Sequence, residues 1–156
     1  MSERDDADAD AGAEQGDDPA AFERILGNDL ESLASTNAAL AELLARHAVS
    51  AETSYACTLV LEEIVTNIVK YAHADGLPHA IRFGARCTPG HVVLRFSDDG
   101  REFNPLAEPA PDLNRPPEER AVGGLGIHLV RRFAERVEYE RVCGQNTLTV
   151  FVANRT

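Results

Sequence analysis

Apolar residues recur along this chain at two periods, and the switches between them predict its elements. Phe22–Leu26 reads as a short strand at a sheet edge. Asn28 and Asp29 are good helix starts, and a helix is predicted from about Asp29 to His47, with Leu33, Leu40, Leu43 and Leu44 as its inner stripe. Ser50 caps a second helix over about Ala51–Ala74, ended by Asp75-Gly76-Leu77-Pro78. His79–Cys87 and His91–Ser97 alternate and are rich in β-formers, with Pro89-Gly90 between them, so they read as a hairpin. Gly126–Glu135 has helical spacing through Ile127, Val130 and Ala134. Val137–Val142 and Thr147–Val152 alternate again across Gly144-Gln145-Asn146, a second hairpin. Strand, two helices, two strands, helix, two strands is the order of an α+β domain with an antiparallel or mixed sheet and helices on one face.

One stretch breaks the pattern. Phe103–Val122 holds five of the eight prolines and no period. A loop this long inside a domain is usually functional or mobile, and it is expected to act as a mobile lid.

The second helix divides its residues sharply. At about 100° per residue from Leu61, the residues Leu61, Ile64, Val65, Ile68 and Ala72 fall within about 60° of one direction. Glu63, Asn67 and Lys70 fall roughly opposite, so a carboxylate, an amide and an ammonium share one face. Leu59 and Val60 flank that face, which argues against a broadly solvated one. An amide oxygen suits Mg²⁺, which takes few protein ligands and fills the rest with phosphate oxygens and water. A carboxylate one turn away can accept a proton from an attacking hydroxyl, and Lys70 can meet phosphate as a point charge.

Two further segments carry chemistry. Asp98, Asp99 and Gly100 follow the apolar strand Val92–Phe96. A carboxylate there can accept from an exocyclic amine such as that of adenine, and a glycine lets a flat base approach the backbone. Gly123-Gly124-Leu125-Gly126 opens the third helix, where bare N–H groups and the helix dipole favour phosphate. It is neither a Walker loop nor a Rossmann turn. His73 lies close to the polar face. His128 reads as core or near phosphate, whereas His47, His79 and His91 sit at element ends and read as surface residues.

Composition narrows the class. With 156 residues and 44% hydrophobic content, one domain with a real core is expected. The net charge of −11 argues against a nucleic-acid partner. Met1–Asp18 holds eight acidic residues and one Arg, leaving −4 for the rest. Residues 1–20 are thus expected to be a disordered acidic tail and 21–156 the domain. The apolar runs are too short to span a membrane, and the N-terminus does not read as a secretory signal. Cys57, Cys87 and Cys143 are scattered with no CxxC pair, which argues against zinc and against a disulfide framework. A reducing cytoplasm is the expected home.

Taken in this order, Glu63-x-x-x-Asn67, Asp98-x-Gly100 and Gly123-Gly124-Leu125-Gly126 resemble the N box and the two glycine boxes of the GHKL (Bergerat) ATP-binding fold, an α/β sandwich shared by histidine-kinase catalytic domains and gyrase. The resemblance covers about Phe22–Val152. It is nearest to the small anti-sigma-factor serine/threonine kinases of bacterial partner-switching systems, through the Glu63-Ile-Val-Thr-Asn67 helix, the Gly-Leu-Gly-Ile turn and the stand-alone length. By that resemblance Asn67 coordinates Mg²⁺ and Glu63 is the general base for a protein serine or threonine. Asp98 pairs with the adenine amine, with spacing to Gly100 favouring it over Asp99. Lys70 touches phosphate, and Gly100, Gly124, Leu125 and Gly126 shape the ATP pocket. The implied substrate is a STAS-domain antagonist, and the implied client is a sigma factor or another regulator held in an exclusive complex. Dimerisation is common in the family, so a homodimer is among the implied assemblies. Better-known members carry an Arg just before the second glycine box for partner contact. Here those positions are Val122 and Gly123, and the nearest Arg is Arg120. Two other readings stay open: a histidine-kinase-type ATPase domain, and an ATP-binding module that transfers nothing.

Overall fold

The alternation along the strands becomes a sheet with one dry face. Ile81, Phe83 and Ala85 on one strand and Val92, Leu94 and Phe96 on the next are all buried, while their sequence neighbours Arg82, Arg86 and Arg95 are exposed. The computed structural model describes residues 20–107, 109, 112–116, 118 and 124–155. Its elements are β1 (Ala21–Gly27), α1 (Leu30–Arg46), α2 (Ala51–Tyr71), β2 (Ala80–Cys87), β3 (His91–Asp98), α3 (Gly124–Phe133), β4 (Arg136–Val142) and β5 (Gln145–Ala153). The strands lie in the order β1-β2-β3-β5-β4. Every neighbouring pair is antiparallel, which settles the choice between an antiparallel and a mixed sheet. The α+β expectation holds.

The helices supply the other half of the core. Asp29 caps α1 by accepting the Ser32 N–H at 2.7 Å. Leu33, Leu40, Leu43 and Leu44 are buried as the inner stripe predicted. Ser50 caps α2, accepting the Thr53 N–H at 3.2 Å, and Val60, Leu61 and Val65 are fully enclosed against the sheet. Each such side chain contributes about 1.5–3 kcal/mol of burial. Ile127 and Val130 bring α3 into the same cluster.

Three of the boundaries that differ from expectation bear on the site. First, α2 stops at Tyr71 rather than Ala74, because the Ala72 carbonyl accepts the N–H of Arg101 at 3.0 Å instead of continuing the helix. Second, α3 begins at Gly124, two residues early. Third, the β4–β5 turn is Cys143-Gly144, with φ of 51° and 77°, and Val142 pairs directly with Gln145. Two left-handed residues make the tight turn whose twist suits a hairpin. Asn146, expected in the turn, therefore lies inside β5. The expected acidic tail lies outside the described residues except Ala20, whose carbonyl accepts the Cys87 N–H at 2.8 Å. Arg120 and the end of the expected lid, residues 119–122, also lie outside them, as do 108, 110, 111 and 117. Among the described residues no helix is long and apolar enough to cross a membrane.

Candidate active site

Packing of α2 on the sheet decides where its polar face points. With Val60, Leu61, Ile64 and Val65 buried below, Glu63 and Asn67 turn toward the first turn of α3. They meet it at Gly126. A β-carbon there would overlap the Glu63 carboxylate, standing 3.2 Å from its Cδ and 3.6 Å from Asn67 Nδ2. Only a glycine leaves both side chains where they stand. Asn67 Nδ2 is itself buried and has no hydrogen-bond partner. An orphaned polar group costs about 1–3 kcal/mol, and this N–H donor calls for an acceptor such as a phosphate oxygen, with Oδ1 as the amide atom that suits a cation. Gly124 and Leu125 open the same helix, whose N-terminal N–H groups and dipole favour an anion. Lys70 stands exposed in the last turn of α2.

The second half of the site is built where α2 ends. Asp98 is the last residue of β3 and faces inward in line with Val92, Leu94 and Phe96, only 8% exposed. Its Oδ1 accepts the Gly100 N–H at 2.9 Å and Asn146 Nδ2 at 3.1 Å. With Oδ1 held by these two donors, Oδ2 is the oxygen that can accept from an exocyclic amine. Gly100 sits hard against α2, where a β-carbon would lie 2.5 Å from Ala72 Cβ and 2.8 Å from the Ala72 carbonyl oxygen.

Asn146 is the residue that sequence reasoning missed. In the β3–β5 register it faces Asp98 directly. Its Nδ2 also donates to the Arg101 carbonyl at 3.0 Å. Its Oδ1 accepts from Tyr139 Oη at 2.8 Å and from an Arg141 guanidinium nitrogen at 2.6 Å. Arg141 further donates to the Gly100 carbonyl at 3.0 Å. One buried amide thus joins β4, β5 and the turn after β3. The alternating pattern of β5 could have found it, because Asn146 shares the parity of Leu148, Val150 and Val152.

Asp99 leaves the strand and points elsewhere. It is exposed, and its Oδ1 lies 2.8 Å from His73 Nε2. That hydrogen bond, ahead of nearby imidazole charge, holds its carboxyl below the usual carboxylate range. His79, expected at the surface, is instead mostly covered, with its ring stacked on His73 at 3.4 Å. The three cysteines are free thiols, and burial pushes that of Cys57 up to about 12.

The profile of the histidine kinase-like ATPase domain matches residues 26–152. The chain belongs to that family. This histidine kinase-like ATPase domain is 35% identical over 101 residues to serine/threonine-protein kinase BtrW of Bordetella bronchiseptica, across 65% of this chain and 71% of BtrW. A solved structure of the RsbU and RsbW domains of a Mycobacterium tuberculosis protein superposes on 87% of the chain with a TM-score of 0.61 at 16% identity. At that identity the likeness is one of fold, and this chain spans 33% of the solved one. The recognition made from the three motifs, a GHKL-type domain of the anti-sigma-factor kinase family, therefore stands. The match spans α2, the Asp98–Gly100 turn and the start of α3.

Proposed function

We propose that this domain is a Mg·ATP-dependent protein serine/threonine kinase of a partner-switching system. The observation that carries the reading is the Glu63 carboxylate set against the glycine of α3 beside the orphaned Asn67 amide. The kinase named among its relatives supports it. The donor set fits the nucleotide. Asn67 would hold Mg²⁺, the α3 N-terminus with Gly124, Leu125 and Gly126 the phosphates, and Asp98 with Gly100 the adenine. Lys70, free to swing, would reach phosphate from the rim.

Bound ATP supplies a transferable phosphoryl group and, through Mg²⁺, neutralises its charge. The protein positions the partners. Glu63 accepts the proton of the substrate serine or threonine as its oxygen bonds to phosphorus and the bond to ADP breaks. Asp98 accepts from the adenine amine and fixes the other end of the ligand. Such transfer needs little covalent help from the protein, so orientation and electrostatics supply most of the rate. The substrate is a serine or threonine of a STAS-domain antagonist. A sigma factor or another regulator is the client held in the alternative complex, in the cytoplasm.

Glu63→Gln tests the chemistry. Radiolabel transfer from ATP to a candidate STAS partner is measured beside ATP affinity. Transfer should fall by about 10²–10⁴-fold while affinity changes little. Because the transition state is loose and proton transfer is late, the lower end is expected. Retained transfer would show Glu63 to be structural. Tight ATP binding by the wild type with no transfer to any STAS partner would identify a binding module.

A further inference from the structure

Behind the adenine carboxylate the fold gathers a second set of donors that the nucleotide reading does not use. His73 follows the end of α2, Asp75 and His79 lie in the connection to β2, and Asp99 follows β3. One oxygen, Asp99 Oδ1, lies 2.8 Å from His73 Nε2 and 3.5 Å from His79 Nδ1. Both Asp75 oxygens stand 2.9 Å from His79 Nε2. The histidine side chains are 10% and 16% exposed. Their setting is firm. The His79 N–H donates to Asn28 Oδ1 at 3.3 Å and its carbonyl accepts the Asn28 N–H at 3.1 Å, while the Leu77 N–H donates to Asp75 Oδ1 at 3.0 Å.

The hydrogen bonds assign the nitrogens. His79 Nε2 donates to Asp75, so Nδ1 turns its lone pair toward Asp99. His73 Nε2 donates to Asp99 Oδ1, so a metal at Nε2 takes the place of that proton, while Nδ1 is buried without a partner. Two imidazole nitrogens and a carboxylate oxygen thus lie within 4.8 Å of one another. With bonds of about 2.0–2.2 Å, the donors of a tetrahedral zinc stand about 3.3–3.5 Å apart; Asp99 Oδ1 is 3.5 Å from His79 Nδ1 and draws back from its 2.8 Å contact with His73 Nε2 when an ion enters. Asp75 behind His79 is the outer carboxylate that such ligands use to fix their tautomer.

We propose that His73 Nε2, His79 Nδ1 and Asp99 form a binding site for Zn²⁺ or a similar borderline divalent transition ion, with a fourth position open to water. A nitrogen-rich set selects such ions over Mg²⁺, which demands oxygen. The site is thus chemically distinct from that of the nucleotide metal. The imidazole planes lie 10° from parallel, so ligation splays the stacked pair. The zinc expectation drawn from the sequence looked for paired cysteines, and this set contains none.

The test is calorimetric titration of ZnCl₂ into the full chain, stripped with chelator and free of nucleotide. One equivalent should bind. His73→Ala and His79→Ala should each weaken it by at least about 10-fold, and Asp75→Asn by about 10–100-fold. Cys143→Ser should leave it unchanged, and MgCl₂ should give no such binding. Circular dichroism of the metal-free variants checks that they fold. In the wild type, Zn²⁺ should shift the ring-nitrogen resonances of His73 and His79. Absence of stoichiometric binding, unshifted rings, or binding retained in the His73→Ala/His79→Ala double variant overturns the site. ATP affinity with Mg²⁺ is read separately, so neither result stands in for the other.

Discussion

A β-carbon on Gly126 and the carboxylate of Glu63 cannot occupy the space between α3 and α2 together. The colliding atom is the free end of a flexible side chain, so Glu63 yields before the backbone does. Gly126→Ala should therefore fold normally, with stability within about 1 kcal/mol of wild type, since alanine in the first turn of a helix costs less backbone entropy than glycine. Phosphoryl transfer should nevertheless fall by about 100-fold, because a displacement near 1 Å suffices for that loss. Thermal melting and radiolabel transfer on one preparation check both halves.

Asn67→Ala should trade binding for stability. The buried Nδ2 has no partner in the fold. Its removal, with the better helix propensity of alanine, should stabilise the protein by about 1 kcal/mol. Calorimetry should show Mg·ATP affinity lost. A variant that melts lower and still binds Mg·ATP would contradict the assignment.

Asp98 and Asp99 should respond oppositely to amide substitution. An amide oxygen at 98 can keep the bonds from Gly100 and Asn146, so Asp98→Asn folds. Its NH₂ then meets the adenine amine donor to donor, and ATP affinity falls. Asp99→Asn alters only the histidine side and should bind ATP as wild type does. Measured affinities for both variants decide the register.

Asn146→Ala should cost about 1–3 kcal/mol, because Asp98, Tyr139 and Arg141 all lose a partner in it. Denaturant unfolding measures that loss. ATP affinity should drop with it, since Asp98 Oδ1 loses one of its two anchors.

The thiols separate by environment. Cys143 is exposed, whereas Cys57 is buried with its thiol pushed up to about 12. Iodoacetamide at about pH 8 should label Cys143 first and leave Cys57 untouched until the protein unfolds, because the thiolate is the reacting form. Mass spectrometry of timed samples reads the order.

Much of this architecture was legible because its periods are clean. The α1 stripe and the two faces of α2 follow from 3.6-residue spacing, and β2, β3 and β5 from strict alternation. What was not legible lay where tertiary contacts override local signals. The sequence offered Gly144-Gln145-Asn146 as a turn. The chain instead turned on Cys143-Gly144 and moved Asn146 beside Asp98. Helical spacing ran on past Tyr71, yet a hydrogen bond from Arg101 claimed the Ala72 carbonyl. His79 looked like a surface residue because nothing in its own segment announces His73 and Asp99. The adjacency of β3 and β5, with β4 at the edge, is likewise a property of the closed sheet rather than of any one segment.

Asn67, facing α3, and Ala72, wedged against Gly100, belong to one stretch of chain. They are five residues apart, which is about 7.5 Å of axial rise. Under the proposed function, that interval would work as a gauge between the phosphate end and the base end of the nucleotide. A deletion of one residue within it would turn the two ends about 100° out of phase, and no repacking on either side could restore both at once. Substitutions between Asn67 and Ala72 can be absorbed one by one, but the count of residues there is fixed by the length of the molecule that must lie across it.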